Sequence, residues 1–303
     1  MKSIAKLTML LVFVSLLATL TKQTHAQSTE QEIRHVRDGL FRVTSGNYHS
    51  MFWATETGIV VIDPLSHESA TWLKSELKER FDLPIRYVIY SHNHFDHVYG
   101  GEVFDDPGTI FVSHQLARED LVRSRAETRI PELTFSEQLA LHLDGQVLRL
   151  RYHGTNNGRG SVSMLFEQQK VLFVVDWIVI GRMPWKDFQG YDIEGMIEST
   201  RDVLNLEWDL CVGGHAEIGD RAAVQHYLSY LESLYAAVRD GMISGKSLEQ
   251  LQSEIRLDDY RDLKNYQQWL PLNVGGVYRV LADQSYLPQR PEVQQRTKKE
   301  GEN

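Results

Sequence analysis

One cysteine, Cys211, occurs in 303 residues. A single thiol excludes an intramolecular disulfide framework and a cysteine-rich zinc knuckle, so any metal must be held by imidazole and carboxylate. Positive charge is also in deficit: 32 Lys and Arg stand against 41 Asp and Glu, a formal net charge of -9 with a pI near 5.7. Phosphate contact needs a basic face, so general nucleic-acid binding is not expected, a nuclease included. After residue 26 no apolar run approaches the roughly 20 residues that cross a bilayer. Internal repeats are missing too, beyond a rough alternation of strands and helices. What remains is ordinary globular composition, 42% hydrophobic, 24% charged and 10% aromatic. That length and composition suit one large domain or two modest ones, and are a poor fit to disorder, collagen or coiled coil.

The first 26 residues read as an export signal. Lys2 and Lys6 give a positive start, Leu7 to Leu20 is a mostly apolar run of 14 residues, and Thr24-His25-Ala26 places a small residue at the cleavage point. The run is short for a membrane span, and no cysteine follows it to carry a lipid anchor. Cleavage leaves Gln27 first. The signal's only charges are Lys2, Lys6 and Lys22, so the mature chain carries -12 in place of -9. The expected location is periplasmic or secreted.

Turn residues separate short strands at Leu40 to Val43, Ser50 to Thr55 and Gly58 to Asp63. Trp72, Leu73, Leu77 and Phe81 make a helical stripe over Ser66 to Phe81. The β-branched and aromatic run Ile85 to Tyr90 predicts a buried strand, Thr109 to Ser113 another, followed by a charged helix from His114. Asp144-Gly145 is a hairpin signal between Leu139 to Leu143 and Gln146 to Tyr152. A second hairpin joins Ser161 to Glu167 and Lys170 to Val175. Helix Ile193 to Leu206, strand Asp209 to Val212 and helices Arg221 to Ile243, Ser247 to Glu254 and Tyr266 to Ala282 follow. The polar stretch from Gln289 to Asn303 predicts disorder. Alternating βα units with hairpins point to two sheets with helices outside.

The densest chemistry follows the strand Ile85 to Tyr90. Ser91-His92-Asn93-His94-Phe95-Asp96-His97 puts three imidazoles and a carboxylate within six residues. In extended chain i and i+2 point the same way, so His92 and His94 can share one metal. Asp96 and His97 fall in the next turn, able to face a second. Imidazole nitrogen and carboxylate oxygen suit zinc, and also iron or manganese. A divalent ion lowers the pKa of water from about 15.7 to about 7, and a nearby carboxylate takes its proton. Three later features can complete such a site. Asp176 ends an apolar strand, where an acid is out of character. His215 follows Gly213-Gly214 at another strand end. The loop from Tyr152 to Gly160 offers His153, Asn156 and Asn157. Trp177, Trp185 and Tyr191, with Arg182 or Lys186 to meet a carboxylate, are candidates for a substrate pocket. Cys211 reads as a buried small apolar residue.

HNHFDH matches the HxHxDH signature of the metallo-beta-lactamase superfamily, and the chain resembles that family from about Leu40 to Glu217. The order agrees: a strand ending in Asp63, the signature, a Gly-rich loop, Val171-Leu172-Phe173-Val174-Val175-Asp176 and Gly213-Gly214-His215. The resemblance implies a four-layer αββα sandwich over residues 27–218, with a C-terminal helical extension over 219–288. It implies His92 and His94 as ligands of a first metal, Asp96, His97 and His215 as ligands of a second, and Asp176 bridging both. The family's third ligand of the first metal is a His; counting back from Ser161, that position holds Asn157, with His153 four residues earlier as a substitute. The departure points to one tight zinc ion and a weak second one. The expected function is an exported metal-dependent hydrolase of a small ester, thioester, lactone or beta-lactam amide, with Asp96 as proton acceptor. The alternatives are an iron-dependent redox or sulfur enzyme on the same scaffold, and a metal- or partner-binding module without turnover.

Overall fold

The computed structural model describes residues 30–300, with side chains to residue 297. The expected export signal and the last three residues lie outside that range. Twelve strands form two sheets. The first runs in chain order from β1 to β7: β1 (Gln31–Arg37), β2 (Leu40–Ser45), β3 (Tyr48–Ala54), β4 (Ile59–Ile62), β5 (Ile85–Ile89), β6 (Ile110–His114) and β7 (Leu133–Phe135). Its first four strands are antiparallel, and β4 to β7 are parallel. The second holds β8 (Gln138–Leu143), β9 (Gln146–Tyr152), β10 (Val162–Phe166), β11 (Val171–Val174) and β12 (Leu210–Gly213), with β12 parallel to β11. The helices are α1 (His67–Phe81), α2 (Phe95–Val98), α3 (Gln115–Ser124), α4 (Ile193–Leu204), α5 (Arg221–Ile243), α6 (Leu248–Glu254), α7 (Tyr266–Ser285) and α8 (Pro291–Glu300).

The period-two alternation of strand side chains builds four layers from these elements. In β4, Val60 and Ile62 enter a core between the sheets with Leu148, Met164 and Phe173. The intervening Ile59 and Val61 turn outward to Leu73 and Leu77 of α1. In β11, Val171 and Phe173 face the inter-sheet core while Leu172 and Val174 pack under α4, α5 and α7. Both strands are buried on two faces, which is why they read as continuous apolar runs. The order is therefore helix, sheet, sheet, helix, as expected. Deleting a side chain such as Leu77, 1% exposed, would cost about 2–5 kcal/mol.

Caps fix the helix starts. Ser66 accepts from Ser69 N at 3.1 Å before α1, and Ser247 with Gln250 forms a reciprocal capping box before α6. Two strands went unread. β1 alternates too few apolar residues to stand out at an edge, and β7 has three residues. The stretch from Gln289, predicted disordered, instead carries α8. Pro291 starts the helix, Val293 is buried, and Arg296 Nη1 donates to Ile243 O at 2.6 Å.

Candidate metal centre

Parallel strands end together, and their carboxyl ends are where α/β sheets place ligands. β4 ends before Asp63, β5 before the His-rich segment, β11 before Asp176 and β12 before Gly214-His215. Asp63 and Asp176 both adopt left-handed backbone, with φ of 50° and 70°, a conformation Asp tolerates better than most residues. α2 is a single turn that swings Asp96 and His97 inward from His94. Gly214 is required by crowding: a Cβ there would lie 2.6 Å from Val175 Cγ1 and 3.0 Å from His97 Cε1.

Five side chains meet around Asp176. His92 Nε2 and His94 Nδ1 lie 3.0 and 3.2 Å from its Oδ2. His215 Nε2 and His97 Nε2 lie 3.1 and 3.7 Å from its Oδ1. Asp96 Oδ2 is 3.4 Å from His215 Nε2 and 3.9 Å from His97 Nε2, and the two imidazole nitrogens are 2.9 Å apart. Tetrahedral donors around a zinc-sized ion stand about 3.4 Å from one another. The set Asp96, His97, Asp176 and His215 brackets that value. His92 Nε2 and Asp176 Oδ1 are buried and have no hydrogen-bond partner, a condition that is costly for polar atoms unless a cation satisfies them. The residues fit a divalent metal.

Two of the four imidazoles are held from behind by a hydrogen bond at Nδ1, and a third, His97, turns its Nδ1 toward a carboxylate without bonding it, which leaves Nε2 for the centre. His92 Nδ1 is 2.8 Å from Ser91 Oγ, which donates to Asp63 Oδ2 at 2.6 Å. His97 Nδ1 is 3.3 Å from the same Asp63 oxygen. His215 Nδ1 is 3.3 Å from the carbonyl of Asn47. Asp63 is wholly buried and also accepts from Ser91 N at 2.8 Å. Sequence reasoning assigned it no role, although an acid ending an apolar strand was the signal that singled out Asp176.

The loop after β9 departs from expectation. His153 does not reach the centre. Its Nδ1 is 2.6 Å from Asp202 Oδ2 and its Nε2 is 2.6 Å from Ser163 Oγ, so both ring nitrogens are engaged away from the metal side chains. Asn157 does reach it, with Nδ2 donating to Asp176 Oδ2 at 3.2 Å. Trp177 is fully buried in the core under α4 and α5, with no place in the cleft: the left-handed turn at Asp176 exposes the carboxylate and sends the next side chain inward.

Electrostatics agree with a cation site. Burial lowers the pKa of His215, but Asp176 and Asp96 override it and raise it to about 10. Burial pushes His92 down to about 4. Burial opposes ionisation of Asp176, yet the His92 and His215 imidazoles outweigh it and hold its carboxyl well below the usual range. Two carboxylates thus draw positive charge to one point.

The sequence profile described as the metallo-beta-lactamase superfamily matches residues 44–215, which is more than half of the chain. The chain belongs to the metallo-beta-lactamase superfamily. Solved metallo-beta-lactamases share its fold. One from Pontibacter korlensis is 21% identical with a TM-score of 0.60, covering 67% of this chain and 99% of that one. The DIM-1 metallo-beta-lactamase is 18% identical with a TM-score of 0.59, covering 67% and 98%. A curated relative is the 2,4-dinitroanisole O-demethylase subunit alpha of Nocardioides sp. (strain JS1661), 25% identical over 235 residues, 76% of this chain and 69% of that protein.

Beyond the segment that matches the superfamily, the C-terminal helices supply one wall of the cleft over the centre. The cleft holds about 970 Å³. Lys264, Asn265 and Trp269 come from the start of α7 and the loop before it, facing Trp185 and Tyr191. On the opposite side, the β2–β3 hairpin brings Tyr48 to 5.3 Å, ring to ring, from His215, and His49 N donates to Gly214 O at 2.7 Å. Phe95 stands at the mouth, 66% exposed. Arg182 lies 5.6 Å from the Trp269 ring, and its Nε is buried without a hydrogen-bond partner. Of the pocket candidates, Arg182, Trp185 and Tyr191 line the cleft. The wall from α7 had no signal in the sequence, because it is assembled by packing over long separation. No helix among the described residues is long and apolar enough to cross a membrane.

Proposed function

We propose that the protein is a zinc-dependent hydrolase of small molecules. One observation carries the reading: donors from separate strand ends converge on both oxygens of Asp176 at the floor of an open cleft. An ion bound there supplies Lewis acidity and a nucleophile at neutral pH. The chain's own residues do the rest. Asp96 is the proton acceptor. Burial opposes its ionisation, but His215 and His97 outweigh it and keep its carboxyl below the usual range, so it is ionised at neutral pH. Arg182 holds an anionic or acceptor group of the substrate, since a buried guanidinium without a carboxylate partner gains most from a ligand's charge. Tyr191, Trp185 and Trp269 hold a flat apolar body and exclude water.

This chemistry suits an ester, thioester, lactone or beta-lactam amide. The likeness to a dinitroanisole O-demethylase subunit adds activated aryl methyl ethers, where water enters and a phenol and methanol leave. The test is a panel of these substrates with protein of known metal content. Turnover of at least one, lost with chelator and restored by zinc, is expected. Silence on every substrate with metal fully loaded would overturn the hydrolase and favour a binding module. Iron as the sole stoichiometric metal would instead favour a redox or sulfur enzyme. We further propose export, on the strength of Lys2, Lys6 and the run Leu7 to Leu20. N-terminal sequencing should begin at Gln27, and a cytoplasmic chain beginning at Met1 would contradict it.

A further inference from the structure

The two oxygens of Asp176 have unequal company. Oδ1 faces His215 and His97 alone. Oδ2 faces His92 and His94 and also accepts a hydrogen bond from Asn157 Nδ2 at 3.2 Å. A carboxylate oxygen offers two lone-pair directions, so the amide and an ion beside His92 and His94 compete for Oδ2.

The amide cannot turn to help that ion. Asn157 is 1% exposed, and its Oδ1 accepts from Ser161 Oγ at 2.9 Å. A carboxylate donates nothing, so the NH2 must face Asp176, and the oxygen that could ligate points at Ser161. The loop is clamped against α4. Asn156 Nδ2 donates to Ser199 Oγ at 3.1 Å, Asp192 N donates to Asn156 O at 2.7 Å, and Asn157 N donates to Asn156 Oδ1 at 2.7 Å. His153 is locked between Asp202 and Ser163. Two imidazoles and one contested oxygen remain on this side. The other side keeps Asp96, His97, His215 and an uncontested Asp176 oxygen.

We propose that Asn157 is a positioning residue: its amide orients Asp176 toward the Asp96–His97–His215 side, which holds one tight ion, and leaves the His92–His94 side only a weak one. This rests on reading these side chains as a metal centre. It does not depend on which substrate is turned over.

The test is cobalt titration of metal-free protein followed by visible absorption, with chelator competition for zinc. Wild type should saturate one tight site at one equivalent, with any second ion at least about 100-fold weaker. Asn157→His should bring a second tight equivalent. Asn157→Ala should keep one equivalent but lose about 10–100-fold in affinity, the usual effect of removing an outer-shell hydrogen bond to a ligand. His153→Ala should keep the wild-type stoichiometry. Two equally tight ions in wild type, unchanged affinity in a folded Asn157→Ala, or an ion lost in His153→Ala would each overturn the assignment of Asn157 while leaving a metal centre. No ion bound by wild type would overturn the metal centre itself, and the inference with it. Thermal melts of each variant identify misfolding, and Asn157→His decides the matter if Asn157→Ala does not fold.

Discussion

Asp96, His97 and His215 on one side of Asp176, and His92 and His94 on the other, are two halves of one centre built at the ends of β5, β11 and β12. The first half has three donors besides the shared carboxylate; His215 is held from behind by Asn47 O at 3.3 Å, and His97 faces Asp63 Oδ2 at 3.3 Å without a hydrogen bond. The second half has two imidazoles, of which only His92 has a support, through Ser91. His94 is also the more open, with 32% of its side chain exposed against none for His97. Donor residues alone would make the centre look nearly symmetric. The difference lies in what touches the donors: the Asn157 amide on Asp176 Oδ2 tilts it.

The largest expected effect removes what the halves share. Asp176→Ala should strip both ions, so that none survives gel filtration, and lower turnover on the order of 10⁴-fold. Metal analysis beside the rate checks it, and an active, metal-retaining variant would show that the halves are independent. Asp63→Asn sharpens the comparison by acting on the supports of His97 and His92. It should weaken the tight ion about 10–100-fold, as read by chelator competition, without unfolding the chain. Arg182→Ala should lower kcat/KM for an anionic substrate about 10–100-fold, the equivalent of one charge-assisted hydrogen bond of about 1.5–3 kcal/mol. A neutral analogue should be little affected, and metal content unchanged. Smallest is His153→Ala. It unpairs Ser163 Oγ, leaves Asp202 with Arg151 alone, and should cost about 1–3 kcal/mol of stability in denaturant unfolding, with metal stoichiometry intact.

The sequence carried the clustered side chains because they are local in chain and chemically odd for their place. His92, His94, Asp96 and His97 crowd one turn, Asp176 ends an apolar strand, and His215 sits behind a glycine pair. The strands were legible for a related reason: β4 and β11 are buried on both faces and so read as unbroken apolar runs, and β5 is rich in β-branched and aromatic residues. What escaped was relational. Asp63 has the same strand-end signature as Asp176, but its task is set by Ser91 and His97 across the sheet. His153 and Asn157 differ by which neighbour takes their polar atoms, Asp202 for one and Asp176 for the other, and no spacing rule decides that. Trp177 and Trp185 look alike in sequence; one is core and the other is 46% exposed at the cleft. The wall from α7 depends on a helix returning across the fold.

The most direct test of the unequal centre is anomalous diffraction from crystals of protein loaded with one equivalent of zinc, recorded at the zinc edge. A single full-occupancy peak among Asp96, His97, Asp176 and His215, with little or none beside His92 and His94, is predicted. Two peaks of equal height, or no peak between those four side chains, would contradict it.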